Sequence, residues 1–310
     1  MADPGELVKQ TSIIVCTIDR LQDLARCMES LQAFRSAGAE IIVVDNGPLH
    51  TAVEEIARRH HARITIEPRR GVSRARNAGI RAAAGSVLAF LDDDSVADSH
   101  WLPLLLAPLQ DSRVAAVVGI MEAQSVADEA SHALDRLHRA QFPLSRQAFG
   151  APIGKDLFPL RFALIGNATM AIRRETFERF GLFDTRFGRG ARIGSGEEPD
   201  LLVRFLLGGQ SIVAEPAAKI FHRHSTEWRG VQRWAFYSGC GHTAILAKYF
   251  LQRPELRGAI LRYVLARLRR RGGLPNLPAM APSPLPRGAF LLGSLYGPLA
   301  FLVSGQNPVE

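Results

Sequence analysis

Residues 87–94 read Val-Leu-Ala-Phe-Leu-Asp-Asp-Asp, five apolar residues running directly into three carboxylates. An uninterrupted apolar run of this length suits a strand buried on both faces. Similar runs precede it at 12–17 (SIIVCT), 41–44 (IIVV) and 64–66, and another follows at 114–118. Between them lie stretches with helical spacing. These are 19–35 (with Leu21, Leu24, Cys27, Met28 and Leu31 recurring), 51–60, the alanine- and arginine-rich 73–84, and 100–109, which Pro103 interrupts. Such alternation predicts an α/β chain whose mostly parallel, Rossmann-like sheet is flanked by helices. Ligands of these sheets bind beyond the carboxyl ends of the strands, so the residues after each apolar run are the first to inspect.

The first run is followed by Asp19 and Arg20, the second ends in Asp45-Asn46-Gly47, and the fourth ends in Asp92-Asp93-Asp94. Adjacent carboxylates repel one another unless a cation or hydrogen-bond donors gather there. A hard divalent ion answers that need, and Mg²⁺ commonly takes one or two carboxylates together with substrate phosphates. Helix capping competes for the aspartates, and Asp-Asn-Gly is also a good turn sequence. Residues 71–79 (GVSRARNAG) open a helix with Arg74, Arg76 and Asn77 in its early turns. Arginines at a helix N-terminus suit phosphate; a solvated basic face is the competing explanation.

Residues 120–165 are poorly patterned, with helix expected near 130–139. A strand is expected at 168–172, a helix from Arg174, and a glycine-rich loop at 187–196 (FGRGARIGSG) before a helix at 199–207. Glu197, Glu198 and Asp200 stand at that helix start. Acids there offset the helix dipole; alternatively, one of them on a glycine-rich loop can abstract a proton from an acceptor. Short strands are expected at 212–214 and 219–221. His222 and His224 follow the second, and two histidines there make a metal-ligand role as plausible as a structural one. Helices are expected at 234–251 and 259–270, and an irregular proline-rich linker at 272–288.

The three cysteines are scattered, which excludes a disulfide framework. The polar, acidic N-terminus lacks the apolar segment of a secretory signal, so a cytoplasmic location is expected, with the inner face of the cell membrane as a second option. Net charge is +8, but residues 253–287 carry eight arginines against one acid, Glu255. One basic stretch on a near-neutral body argues against nucleic acid and for an anionic lipid or polyanion surface. Residues 261–271 (LRYVLARLRRR) resemble an interfacial helix. The apolar stretch 289–304 is shorter than the ~20 residues of a spanning helix. Peripheral membrane contact through 253–304 and packing of this region on the protein's own body or on a partner subunit, including a homo-oligomer, both remain open.

In order, SIIVCTIDR, EIIVVDNG, RRGVSRARNAGIRAAAGSVLAFLDDD, GNATMAIRRETFERFGLFD, GSGEEPDLLVRFLLGG and AKIFHRH resemble the family 2 glycosyltransferases, inverting enzymes of GT-A fold. The resemblance runs from Ser12 to His224. It implies a transferase domain over 1–225, with a nucleotide-binding half (1–120) and an acceptor and catalytic half (121–225), and a helical, basic C-terminal extension over 226–310. It implies that Thr17, Asp19, Arg20, Asp45, Asn46, Arg76, Asn77, Asp92 and Asp93 bind the nucleotide sugar. Asp92 and Asp94 match the family's DXD pair, and His222 a histidine that completes the metal site in some members; the metal is Mn²⁺ or Mg²⁺. Glu198 takes the general-base position, with Asp200 and Glu197 as alternates because the motif reads Glu-Glu-Pro-Asp. A UDP-sugar is the favoured donor, Asp45 being compatible with uracil, and the acceptor is a sugar or lipid-linked glycan of envelope or surface polysaccharide synthesis. Two alternatives stand beside this: a nucleotidyltransferase, which usually has a glycine-rich loop where this chain reads CTIDR, and an inactive sugar-nucleotide-binding scaffold.

Overall fold

The computed structural model describes residues 4–47, 51–125, 128–150, 169–222, 227–269 and 285–305. Among the described residues, nine strands form one sheet: β1 (Thr11–Thr17), β2 (Glu40–Asp45), β3 (Arg63–Ile66), β4 (Val87–Asp92), β5 (Ser95–Ala97), β6 (Val114–Ala123), β7 (Gln147–Phe149), β8 (Met170–Arg173) and β9 (Ser211–His222). The helices of the first half are α1 (Pro4–Lys9), α2 (Leu21–Ser30), α3 (Gln32–Ser36), α4 (Thr51–Arg59), α5 (Val72–Ala82) and α6 (Trp101–Leu106). Those of the second are α7 (Glu129–Gln141), α8 (Arg174–Phe180), α9 (Glu197–Leu207), α10 (Trp228–Gln252), α11 (Arg257–Arg269) and α12 (Leu285–Val303).

The strand order is β3-β2-β1-β4-β8-β6-β9-β5, with β7 also paired to β9. Strands β1 to β4 are mutually parallel, and β6 is parallel to β9. Between these parallel groups β8 runs antiparallel to both β4 and β6. Alternate side chains of the parallel strands enter two cores, one on each face of the sheet. Ile14, Ile42, Val44, Leu88 and Phe90 pack with α5, α8 and α9. Ile13, Val15, Ile41, Val43, Ala89 and Leu91 pack with α2, α4 and α6. The first core extends into the C-terminal helices through Cys240, Ala244, Ile245, Tyr249, Ile260, Ala300 and Phe301. Residues of 226–310 therefore pack on the body of the protein.

Four local expectations change. The 19–35 helix divides at fully buried Leu31. Pro103 does not interrupt its helix; it is the third residue of α6, where its missing N–H has no intrahelical partner to lose. The two short strands at 212–214 and 219–221 are one strand, β9. Val118 pairs with Ala214 and Ile120 with Lys219, so residues 215–218 bulge out of register and carry Pro216 where no ladder N–H is required. The 272–288 linker lies largely outside the described residues, and its end, from Leu285, is the first turn of α12.

Candidate active site

Strands β1 and β4 are neighbours and end level with each other, since Cys16 pairs with Asp92. That register sets Thr17 and Arg20 beside the acidic run. Thr17 Oγ1 donates to Asp93 Oδ2 at 2.7 Å, and Arg20 Nη1 reaches Asp93 Oδ1 at 3.1 Å and also pairs closely with Asp94. Antiparallel pairing of β5 with β9 aligns Ser95 with His222, bringing His222 Nε2 to 3.1 Å from Asp94 Oδ1. The three aspartates thus have different surroundings. Burial raises the Asp93 carboxyl to about 7, although Thr17 and Arg20 work against the rise. Burial would also raise Asp94, but His222 and Arg20 outweigh it and hold the group at about 2. Asp92 is the most open of the three, its side chain 38% exposed.

The second acidic cluster begins α9. Gly196, at the helix N-cap, has a left-handed backbone (φ 93°) that glycine adopts without strain. The turn aims Glu197 and Glu198 at Arg76, which projects from α5 and is almost wholly buried. Arg76 Nη2 lies 2.8 Å from Glu198 and 3.2 Å from Asp92, and Nη1 lies 3.3 Å from Glu197. One guanidinium therefore faces three carboxylates. Burial opposes the Arg76 charge, but Glu198, Asp92 and Glu197 hold it protonated far above any working pH. Burial pushes the Glu198 carboxyl up to about 8; Arg76 counters this, while Glu197 and Asp92 add to it. A single positive charge cannot balance three negative ones, and Glu198 is where the surplus falls.

Asp200 faces a different set of partners. It is fully buried and lies 2.7 Å from Lys248 Nζ on α10, 3.2 Å from Arg204 and 3.3 Å from the Tyr249 hydroxyl. Lys248 also pairs with Asp184 at 2.8 Å, and Asp184 with Arg186 at 2.6 Å. Burial would raise Asp184, but Arg186 and Lys248 hold it well below the usual carboxylate range. This ionic chain fastens α10 to the start of α9 and to the loop before it. Nothing in the sequence singled out Asp184, Arg186 or Lys248; the Lys248 pairings join segments far apart in the chain.

Two asparagines anticipated at the nucleotide site pin the loops around it. Asn46 donates to the carbonyls of Glu67 and Arg69 and accepts from the Gly71 amide, each at 2.9 Å. Asn77 donates to the Phe183 carbonyl at 2.9 Å and accepts its amide at 3.0 Å. Asp45 is fully buried at the end of β2. Asp19 is exposed, with a left-handed backbone (φ 56°) that aspartate tolerates better than most residues. The glycine-rich loop closes on the start of α5. Val72 donates to the Arg189 carbonyl at 2.9 Å, and a Cβ on Gly190 would stand 2.9 Å from the Gly71 Cα. That contact brings Arg189 within electrostatic reach of Asp94, a neighbour the sequence did not flag. His224 lies outside the described residues.

Among the described residues, no three His, Cys, Asp or Glu side chains gather as a ready-made metal cage. The Asp94–His222 pair nevertheless suits a divalent ion bound jointly with a substrate. Two adjacent donors on one ion, each about 2.1 Å away, stand about 3 Å apart, and Asp94 Oδ1 and His222 Nε2 are 3.1 Å apart. Substrate phosphate and water would complete the shell.

The mostly parallel α/β sheet flanked by helices, with acidic groups at the carboxyl ends of its parallel strands, has the GT-A fold. The family profile described as "Glycosyl transferase family 2" matches residues 12–180, more than half of the chain. The chain belongs to glycosyltransferase family 2. The pre-mycofactocin glycosyltransferase of Mycobacterium tuberculosis is 26% identical over 239 residues, covering 76% of this chain and 47% of the relative. Polypeptide N-acetylgalactosaminyltransferase 11 of Xenopus tropicalis is 28% identical over 212 residues, covering 61% and 33%. The chain thus spans a third to about half the length of these curated relatives. Among solved structures, the Pyrobaculum calidifontis mannosyltransferase PcManGT, in complex with GDP-Man and Mn²⁺, superimposes with a TM-score of 0.62 at 17% identity, covering 95% of this chain and 86% of that one. Glucosyl-3-phosphoglycerate synthase of M. tuberculosis, with Mn²⁺, UDP and glucosyl-3-phosphoglycerate, gives 0.54 at 18% identity, covering 80% and 84%. Both likenesses establish the fold.

Proposed function

We propose that the chain transfers a sugar, with inversion, from a nucleoside-diphosphate sugar to an acceptor hydroxyl in the cytoplasm. The observation that carries this is Arg76, which ties the DXD aspartate Asp92 to Glu198 and so sets a diphosphate site and a proton acceptor on either side of one buried cation. Asp94 and His222 would hold Mn²⁺ or Mg²⁺, with Asp92 toward the ribose. A bound divalent ion neutralises the departing diphosphate as a Lewis acid. Arg20 and Arg189, beside Asp94, are placed to take up phosphate charge. Thr17, Asp45 and Asp93 line the base and ribose side. Glu198, ionised, takes the acceptor proton; the acceptor oxygen bonds to the anomeric carbon while its bond to the diphosphate breaks, and the nucleoside diphosphate leaves. Asp200, held by Lys248 and Arg204, fixes the start of α9. A UDP-sugar is the favoured donor and a sugar or lipid-linked glycan the acceptor. The M. tuberculosis synthase bound to Mn²⁺ and UDP and PcManGT bound to GDP-Man and Mn²⁺ support a nucleotide-sugar donor with metal.

The test is a thermal-shift and donor-hydrolysis screen of UDP- and GDP-sugars with and without Mn²⁺. A donor bound only by the native state raises the melting temperature. Metal-dependent stabilisation and slow release of nucleoside diphosphate are expected for one donor; no stabilisation by any would remove the proposal.

A further inference from the structure

Helix α12 is built inside out for a helix in water. Its large apolar side chains face solvent: Leu291 is 56% exposed, Leu292 63%, Leu295 73%, Leu299 61%, Leu302 60% and Val303 63%. Their spacing of three and four residues places them on one face. The opposite face meets α10 through Gly293 and Gly297, with Phe290 and Phe301 buried beside them. A Cβ on Gly293 would stand 1.9 Å from the Phe236 carbonyl oxygen of α10, and one on Gly297 2.2 Å from that of Cys240. Across the contact, a Cβ on Gly239 would meet the Phe290 carbonyl at 2.3 Å. Glycines at the helix contact with leucines outward is the arrangement helices adopt in lipid, where close backbone packing replaces a hydrophobic drive to bury side chains. Among the described residues no helix is long and apolar enough to cross a membrane.

We infer that the exposed leucine face of α12 docks on an anionic lipid bilayer, lying in its interfacial plane. Charge selects this occupant over a second copy of the chain. Arg287 precedes the leucine row by one helical turn, in step with Leu291 and Leu295, and Arg257 and Arg262 are exposed on α11. The 253–287 stretch carries a local charge of +7 (eight arginines, one glutamate). Helix α12 carries Arg287 and no acid, so a two-fold pairing through this face would offer that charge no partner on the helix, whereas an anionic leaflet attracts it. The buried side of the same helix packs on the glycine-rich loop of the candidate site. Phe301 of α12 packs on Phe187 of the glycine-rich loop at 6.2 Å between ring centroids, and Arg186 covers Phe301 at 4.5 Å. Docking therefore presents the loop that leads to Glu198 near the membrane surface. Resting on the transferase proposal above, this points to an acceptor carried by a membrane lipid.

The test uses the full chain and the variant Leu292→Glu/Leu295→Glu/Leu299→Glu, whose positions are exposed and whose melting temperature is expected to match the parent. Both are floated with vesicles of phosphatidylcholine alone and of phosphatidylcholine with phosphatidylglycerol, and light scattering gives their mass without vesicles. The parent is expected to float with anionic vesicles, to float less with neutral ones, and to lose binding as salt rises. The variant is expected to partition on the order of tenfold less or weaker. Equal flotation of parent and variant, no flotation of either, or a dimeric parent with a monomeric variant and no flotation would each overturn the inference. Metal-dependent donor hydrolysis without vesicles is read on the same samples and is expected to be unchanged in the variant. Its absence from both proteins would condemn the transferase proposal while leaving the flotation result standing.

Discussion

The molecule has two acidic clusters of nearly the same composition, Asp92-Asp93-Asp94 at the end of β4 and Glu197-Glu198-Pro199-Asp200 at the start of α9, and their counter-charges set them apart. Asp93 and Asp94 of the strand-end cluster are met by a half-exposed Arg20 and by His222, groups that can turn to a ligand, while Asp92 shares the buried Arg76 with the other cluster. The helix-start cluster is met by Arg76 and Lys248, both buried. Within it the carboxylates divide again: Glu198 shares Arg76 with two others and is pushed up to about 8, whereas Asp200 sits in a satisfied ionic chain. Under the proposed function, equal acidity in the sequence would become three different roles: receiving a cation and phosphate, accepting a proton, and fastening two helices.

Breaking this division should give graded effects. Glu198→Gln keeps the shape and removes the base, so kcat is expected to fall by roughly 10²–10⁴ with donor affinity retained; near-normal turnover would take the role from Glu198. Asp200→Asn leaves the buried Lys248 facing Asp184 alone. Removing one partner of a buried pair costs about 3–5 kcal/mol, so the melting temperature should drop markedly while the protein that remains folded at low temperature keeps most of its kcat. A loss of kcat as deep as that of Glu198→Gln, with stability untouched, would make Asp200 the base instead.

The pH response sharpens the comparison further. Glu198 binds a proton in the native state up to about 8, whereas the unfolded chain releases it near the ordinary value of 4.5. Between those values the native state holds more protons, so stability should fall as pH rises through the window. Glu198→Gln should flatten that part of the slope in denaturation curves taken across the range. Turnover has the opposite sign, since the base works ionised, and should climb toward about pH 8. The smallest effect on turnover is expected from Asn46→Ala, which removes three hydrogen bonds pinning the 67–71 loop. At a net ~1 kcal/mol each, it should cost about 3 kcal/mol of stability, the lower end of the Asp200→Asn range, and raise KM for the donor more than it changes kcat.

The parallel half of the sheet was legible in the sequence because it depends on local period. Apolar runs at β1, β2 and β4 coincide with the observed strands to within a residue or two. The antiparallel insertion of β8 was not, since an apolar tetrapeptide carries no mark of direction. β9 was mistaken for two strands because Pro216 usually breaks a strand, and only the bulge against β6 shows how it is accommodated. At the site, the strand-end acids were legible from position alone. The partners that distinguish them, Arg76 from Glu198 and Lys248 from Asp200, were not, because those pairings cross more than forty residues of chain. Asn46 and Asn77, expected at the nucleotide site, hold neighbouring backbone in the structure, contacts that their positions in the sequence do not reveal.

The division between the clusters is tested most directly by calorimetric titration of UDP and GDP, each with and without Mn²⁺, into the Asp94→Ala and Glu198→Gln variants alongside the parent chain. The account predicts that Asp94→Ala loses the Mn²⁺-dependent part of nucleotide binding while Glu198→Gln binds as the parent does. Unchanged metal-dependent binding in Asp94→Ala, or its loss in Glu198→Gln, would contradict the assignment of diphosphate and metal to the strand end.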